Sequence, residues 1–305
     1  MRLLYQGTDI TGQVNVTACR CRETSGGQCD SLFVEMLDAQ AWYRWKPDMD
    51  DRIEVTEGSY TTGRLYLNAC RGEDGRFTLA AASMPAKAYR RASGSYAGMT
   101  LEAIMALCAA ECGMEAALYG LDGRMTYGYL SRTNQSAPAF LNGLLALEGA
   151  AFKTVGGRLA GISVEAMQEK DAAKTLRLTA DQRGVTHTAR RAERLGSLTI
   201  KTPYCQCTAY DAGAPDGEAR VVTDKPALNA AQGGRWARGM LMMHNRQAET
   251  LSVETAFDEA FCAMGRIDVE AETEIAGRWL IEVAEHDLIR GRSRAVMRRC
   301  IDTFR

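Results

Sequence analysis

The stretch FLNGLLALEGAAFKTVGGRLAGI, residues 140–162, predicts local structure more clearly than any other part of the sequence. Its first half has apolar residues at helical spacing, with Ser136 placed to cap the helix and Gly149 to end it. Residues 152–162 contain two short apolar runs separated by a pair of glycines, a pattern typical of a β-hairpin. The region is therefore predicted to fold as a helix followed by a hairpin.

A second helix is predicted upstream of this stretch. Thr100 is placed to cap it, apolar residues follow at spacings of three and four, and Gly113 can end it. The preceding stretch KAYRRASGSYAG, residues 87–98, is rich in small and basic residues and is interpreted as a connector. Together these patterns predict a small α+β insert at residues 95–165.

The chain before the insert has the pattern of an all-β module. Apolar residues alternate over short runs, and the runs are separated by turns rich in Gly, Asp and Asn. Residues 72–75, Gly-Glu-Asp-Gly, lie between two such runs and predict a hairpin. We expect a first β-barrel at residues 1–90, with a strand near residues 174–180 as a candidate to complete it.

The chain after the insert returns to the strand pattern. Residues 175–305 are predicted to form a second β-barrel, interrupted by one helix near residues 230–248. The predicted fold class is thus mainly β with an α+β insert: two β-barrels and a small mixed α/β domain. The similar size of the two β modules is compatible with an ancient duplication.

Composition limits the classes of function. The 305 residues are 46% hydrophobic and 25% charged, which is typical of an ordinary folded protein. No apolar run is long enough for a membrane span or a signal peptide, so a cytosolic protein without membrane insertion is expected. The formal net charge of -1 predicts no general attraction for nucleic acid.

Residues that could carry chemistry form no recognisable motif. The histidines are His187, His244 and His286, and each is interpreted as a structural residue. The ten cysteines include two C-x-C pairs, which put both thiols on one face of a strand and are interpreted as buried packing residues. We therefore expect no catalytic residues, no cofactor and no metal.

Six stretches of the sequence, taken in order, resemble the phage late control protein D family, the baseplate hub of contractile tails. They are LLYQGTDITGQV (3–14), DSLFVEMLDAQAWYRWKPDMDDRIEV (30–55), FTLAAASMP (77–85), TLEAIMALCAAECGM (100–114), the opening stretch at 140–162, and GRWLIEVAEHDLIRG (277–291). The positions that match the family pattern as structural residues are Phe140, Leu144, Gly149, Phe152, Gly157, Leu159 and His286. Residues 181–195 and 261–277 depart from the pattern.

The resemblance implies a structural role. It implies two barrels related to the tail-tube fold and a homotrimer whose six barrels form a pseudo-sixfold ring between the tail tube and the central spike. Implied partners are the tube protein, the spike, other baseplate proteins, and DNA only in transit through the channel. The implied location is the host cytoplasm during assembly and then the tail baseplate of the virion or of a released particle.

Three alternatives stay open. The chain could be the hub of a tailocin or another contractile injection machine, which would share the fold. A tail-associated cell-wall hydrolase is an alternative from the class of enzymes, although no acid/base pair for it is readable. A metal-binding module built on the cysteines is the third.

Overall fold

The computed structural model describes residues 1–37, 44–179 and 181–304. The chain is mainly β, as predicted from its sequence, and most strands join one 14-stranded sheet. Part of the family-like stretch at 30–55, residues 38–43, lies outside the described residues. No helix among the residues described is long and apolar enough to cross a membrane.

The elements follow one another in three groups. The first group is β1 (Arg2–Tyr5), β2 (Thr8–Asp9), β3 (Asn15–Thr24), β4 (Ser31–Leu37), β5 (Arg52–Glu57), β6 (Tyr60–Thr61), β7 (Leu65–Glu73) and β8 (Arg76–Ala82). The second is β9 (Arg91–Thr100), α1 (Leu101–Cys112), β10 (Glu115–Tyr119), β11 (Thr126–Ser136), α2 (Ala137–Leu147), β12 (Ala150–Val155), β13 (Arg158–Ser163) and α3 (Val164–Glu169). The third is β14 (Lys174–Arg177), β15 (Val185–Ala189), β16 (Leu195–Lys201), β17 (Gln206–Tyr210), β18 (Glu218–Val222), α4 (Ala230–Asn245), β19 (Glu249–Ala256), β20 (Arg266–Glu270), β21 (Gly277–Asp287) and β22 (Arg292–Arg299).

The large sheet contains the same strand order twice. Its main run is β15-β19-β22-β21 followed by β3-β4-β8-β7, so each half has its first, second, fourth and third strand side by side. In each half the third strand also pairs with an additional strand, β20 or β5, which in turn pairs with β14 or β1. The two halves are joined by the antiparallel pair β21 and β3. The four-strand run is therefore repeated, in agreement with the duplication considered from the sequence, whereas the additional pair β14–β20 is parallel and β1–β5 is antiparallel.

Each barrel encloses its own hydrophobic core. In β4, Leu32, Val34 and Met36 are buried while Phe33 and Leu37 are exposed, as the alternation in the sequence predicts. These buried residues belong to the core of the first barrel. A separate core, built around the fully buried Trp279 and Phe261, fills the second barrel.

The insert has the helices and the hairpin expected from its sequence. The Thr100 side chain accepts a hydrogen bond from the Ala103 amide at the start of α1, and Ser136 accepts one from Ala139 at the start of α2. Gly113 ends α1 in the left-handed conformation, at φ 70°. Strands β12 and β13 form an antiparallel hairpin and β10 pairs with β13 in parallel. The two helices and the hairpin predicted within residues 100–163 are thus confirmed, whereas β10 and β11 were not predicted.

Three expectations about the limits of the modules are wrong. Strand β14 pairs with β20 and its Leu176 packs in the second core, so the strand near residues 174–180 completes the second barrel and not the first; Ala180 lies outside the described residues. The stretch interpreted as a connector forms most of β9, because its small residues pair with β11. Finally, β16–β18 and α4 do not join the second barrel.

The segment from β16 to α4 packs on the insert instead. The buried face of α4, with Trp236, Ala237 and Leu241, belongs to the same hydrophobic core as α1 and α2. The inward side of β16, with Leu198 and Ile200, faces this core as well. Periodicity predicted these elements correctly but carries no information on which neighbouring core they bury against. The insert with this segment is called the mixed module below.

Candidate functional site

A concave groove crosses the outer face of the large sheet where the two barrels meet. It has a volume of about 1180 Å³ and is called the junction groove here. Strands β3, β4 and β8 line it on one side and β19, β21 and β22 on the other. Its charged lining residues are Arg20, Arg22, Arg183, Glu254, Glu285, Asp287, Arg290, Arg292 and Arg294.

The alternation of each strand places these charges on the same face. In the β3–β21 ladder, Arg20 lies opposite Asp287 and Arg22 lies opposite Glu285. The intervening residues, Cys21 and His286, also lie opposite each other and are buried. Opposite charges across neighbouring strands stabilise this register, although each exposed pair contributes only ~0–1 kcal/mol.

His286 lies directly beneath the groove and makes two hydrogen bonds. Its Nε2 is 2.9 Å from the carbonyl oxygen of Phe261, so this nitrogen carries the proton and donates. Its Nδ1 then accepts from the Ser293 hydroxyl at 2.8 Å, and that hydroxyl accepts from the Asp258 amide. The histidine and the serine are both buried and have these partners, an arrangement that fixes the hairpin β21–β22 against the loop before β20.

Burial lowers the pKa of His286, because the charged imidazolium is disfavoured away from water. A lowered pKa in the folded state means that the unfolded chain binds this proton first as pH falls. We therefore expect stability to decrease below about pH 6.5, by at most ~1.4 kcal/mol for each pH unit until the folded-state pKa is reached.

Urea unfolding at pH 7.5, 6.5 and 5.5 measures this loss. The variant His286→Gln keeps an amide donor for the Phe261 carbonyl and does not titrate, so the decrease between pH 7.5 and 5.5 should be smaller than in the natural sequence. The other two histidines are present in both proteins and cancel in the comparison. An equal decrease in both would show that His286 is not its source.

A buried ionic network holds the mixed module against the junction of the barrels. The Lys153 ammonium of β12 is 2.6 Å from the Asp30 carboxylate and 3.8 Å from Glu23, both in the first barrel. Glu23 in turn accepts a hydrogen bond from the Ala263 amide, in the loop before β20 of the second barrel. Burial raises the pKa of Glu23, although the charge of Lys153 acts in the opposite direction. These contacts join all three parts of the chain at one point.

The other family-like positions lie in the mixed module and do not line the groove. The six are Phe140, Leu144, Gly149, Phe152, Gly157 and Leu159. Phe140 stacks on Tyr96 with ring centroids 5.0 Å apart. Gly157 has φ 81° in the hairpin turn and lies against Arg64 of the first barrel. Their contacts are those of packing and turn residues.

Sequence reasoning did not find the groove. The signal was present as two alternating runs, Cys-Arg-Cys-Arg-Glu at 19–23 and Arg-Gly-Arg-Ser-Arg at 290–294. Each run puts arginines on one face of a strand. Only the pairing of β21 with both β3 and β22 shows that the two runs share a surface.

The remaining histidines and the cysteines take ordinary positions. His187 is 3.5 Å from Glu274, and His244 hydrogen-bonds the Glu193 carbonyl. The thiols of each C-x-C pair share a side, as predicted. Four of the ten cysteines are buried, five are partly buried and Cys70 is exposed, so the interpretation of the cysteines as buried packing residues is wrong for six of them. Within the described ranges, no three His, Cys, Asp or Glu side chains could together hold a metal ion.

Comparison with known proteins finds similar solved structures. No family model and no curated protein matches the sequence. A tail protein from Neisseria meningitidis MC58 aligns over 98% of this chain and 95% of its own, with a TM-score of 0.75 and 12% identity. The 43 kDa tail protein of prophage MuSo2 from Shewanella oneidensis aligns over 98% and 97%, with a TM-score of 0.72 and 12% identity.

A component of the type VI secretion system from E. coli, described as structurally similar to the T4 tail proteins gp27 and gp5, is also similar. It aligns over 99% of this chain and 78% of its own, with a TM-score of 0.60 and 12% identity. These likenesses extend over both barrels and the mixed module. The chain therefore has the fold of phage tail proteins and of a related type VI secretion component.

Proposed function

We propose that the chain is a structural hub subunit of a contractile tail, from a phage or a related injection machine. Three copies would form a ring that joins the tail tube to the central spike and leaves a channel for DNA or other cargo. The protein would be made in the host cytoplasm and end in the tail baseplate. The proposal is for a structural role without catalysis.

One observation carries this proposal: the way the two barrels join inside one chain. In the repeated order, β21 is the third strand of one barrel and pairs with β3, the first strand of the other. The matching strands at the two ends of the main run are β7, a third strand, and β15, a first strand. The main run of the sheet thus has at its two ends the same kinds of strand that pair with each other in its middle.

The directions of these strands fit such a contact. All seven ladders from β15 to β7 are antiparallel, so the two end strands run in opposite directions. Strand β15 of one copy can therefore continue the antiparallel sheet beside β7 of the next. A closed ring of this kind removes both free edges and makes the contacts between copies equivalent to the contact within a copy. Three copies then give six barrels in pseudo-sixfold order.

The edge of β7 is available for this contact. Among described residues, β5 pairs only with Tyr66 and Leu65 of β7, which leaves residues 68–73 without a second neighbouring strand. The tight turn at Asp74 and Gly75 makes Glu73 and Arg76 a hydrogen-bonded pair, so the amide groups of Cys70 and Gly72 point away from β8.

Replacing Cys70 by proline tests the ring. Proline removes one outward amide, so we expect the folded monomer to form while the ring is lost or weakened. Cys70→Thr, which changes the side chain but keeps the amide, should assemble like the natural sequence. Light scattering and electron microscopy, with and without the tube and spike proteins, measure the outcome.

A threefold ring from the natural sequence and from Cys70→Thr, absent in Cys70→Pro, would support the proposal. Thermal unfolding of the two variants at low concentration checks that both are folded. A natural protein that stays monomeric in the presence of both partners would overturn it.

A further inference from the structure

The net charge of the chain is distributed unevenly. The whole sequence carries a formal charge of -1, but the junction groove is lined by six arginines and three carboxylates. This surface has a formal excess of three positive charges, which the rest of the chain balances. We propose that the junction groove binds the phosphate backbone of duplex DNA, weakly and without regard to base sequence. The inference rests on the proposed function and adds to it that this face of the sheet borders the channel.

The carboxylates neutralise only part of the arginine charge. Asp287 lies 3.7 Å from Arg20 and 3.8 Å from Arg290, so one carboxylate serves two guanidinium groups. Glu285 is shared in the same way by Arg22 at 3.2 Å and Arg294 at 3.3 Å. Arg294 also lies 3.9 Å from Glu254, so this second group holds two arginines and two carboxylates and is neutral. The group around Asp287 keeps one positive charge in excess.

Two further arginines have no such partner. Within the described residues, the side chains of Arg183 and Arg292 make no ion pair or hydrogen bond, and both are exposed in the groove. Guanidinium groups bind phosphate oxygens through two parallel hydrogen bonds, so these two are free to take a ligand of that kind. A concave wall also strengthens the field that such charges produce.

The same geometry limits the strength of binding. The arginines are exposed, Arg290 to 72% and Arg20 to 59%, and a phosphate must compete with carboxylates that are already in place. Contacts of this kind exchange readily and are weakened by salt. Such contacts favour a polymer that moves along the surface over a polymer that is bound in one position.

The arrangement favours a regular polyanion over an acidic protein segment. The arginines occupy alternate positions of β3 and β22, so positive groups repeat along each strand at about 7 Å and are not confined to one point. A phosphate backbone can meet such a surface in any register because its charge is continuous. An acidic protein segment would need its carboxylates at matching positions.

Binding of a fluorescein-labelled 30-base-pair duplex, followed by anisotropy from 20 to 200 mM NaCl, tests the inference. The groove variant combines Arg20→Gln, Arg290→Gln and Arg292→Gln. The control variant combines Arg2→Gln, Arg158→Gln and Arg177→Gln, which remove the same charge from exposed arginines outside the groove. Poly-glutamate serves as a competing anion of another class.

We expect the affinity of the natural sequence to fall steeply with salt. The groove variant should bind about 10-fold more weakly at 50 mM NaCl, with a salt slope reduced by roughly 1 to 3, whereas the control variant should change by about 2-fold or less. No binding, an equal loss in both variants, or stronger competition by poly-glutamate than by unlabelled duplex would overturn the inference.

Light scattering on the same variants keeps this test separate from the test of the ring. A groove variant that assembles but does not bind DNA supports the inference and leaves the proposed function intact. DNA binding by a chain that never assembles would count against the proposed function, and against a role of the groove in a channel.

Discussion

Replacing Asp211 by alanine is expected to destabilise the fold by about 3–5 kcal/mol, because it removes one partner of a buried ion pair and leaves the other charge without compensation. The Asp211 side chain is fully buried at the end of β17. Its carboxylate accepts from Arg194 at 2.6 Å, from Asn245 at 2.7 Å and from the Gly213 amide at 2.9 Å. The Thr303 hydroxyl donates as well.

Asp211 joins segments that are far apart in the sequence. Arg194 precedes β16, Asn245 ends α4, and Thr303 lies near the end of the chain. Burial alone would raise the pKa of Asp211, but the hydrogen bonds outweigh it and hold the pKa below its usual value. The carboxylate is therefore charged at neutral pH, and its contribution to stability is present above about pH 4 and lost as pH falls further.

Urea unfolding with Asp224→Ala as control measures the effect. The Asp224 carboxylate is 72% exposed and, among the residues that the structure describes, pairs only with the neighbouring Lys225, so its removal should leave the unfolding midpoint nearly unchanged. For a stability of the usual 5–15 kcal/mol, the loss at Asp211 is a large fraction of the whole. Equal midpoints for Asp211→Ala and Asp224→Ala would show that the network does not stabilise the fold.

The sequence predicted local structure well where local chemistry decides it. Capping by Thr100 and Ser136, the end of α1 at Gly113, and the hairpin at Gly156 and Gly157 depend on residues close in the chain, and each is present. The alternation of β4 also predicted which side chains face the core. The mainly β fold class followed from the same patterns.

Contacts between distant segments could not be predicted from such sequence patterns. The pairing of β14 with β20 joins residues more than ninety positions apart, and no feature of Lys174–Arg177 favours β20 over β5. The junction groove depends on the pairing of β3 with β21, at opposite ends of the sequence. Asp211 likewise resembles any turn carboxylate until its partners are known. Pattern reasoning therefore found the elements, and the structure was needed for their neighbours.

The second large effect on stability is expected where α4 crosses the end of α2. An added Cβ at Gly239 would lie 2.2 Å from the Leu147 carbonyl oxygen and 2.5 Å from the Gly149 amide nitrogen. These are backbone atoms, so the two helices cannot relieve the contact by turning a side chain. Gly149 itself has φ 68°, and a Cβ there would lie 3.1 Å from the Gly239 Cα. The family-like position Gly149 is thus one half of a close backbone contact.

Gly239→Ala is expected to destabilise the fold by about 3 kcal/mol or more, since overpacking against backbone forces α4 away from α2. Gly234→Ala, five residues earlier in α4, has no atom within 4 Å of the added Cβ and should stabilise by roughly 0.5–1 kcal/mol through helix propensity. The two variants make the same chemical change in the same helix, so opposite signs in urea unfolding would isolate the contact. Stabilisation by both would show that α4 can shift without cost, and that its close approach to α2 does not hold the mixed module together.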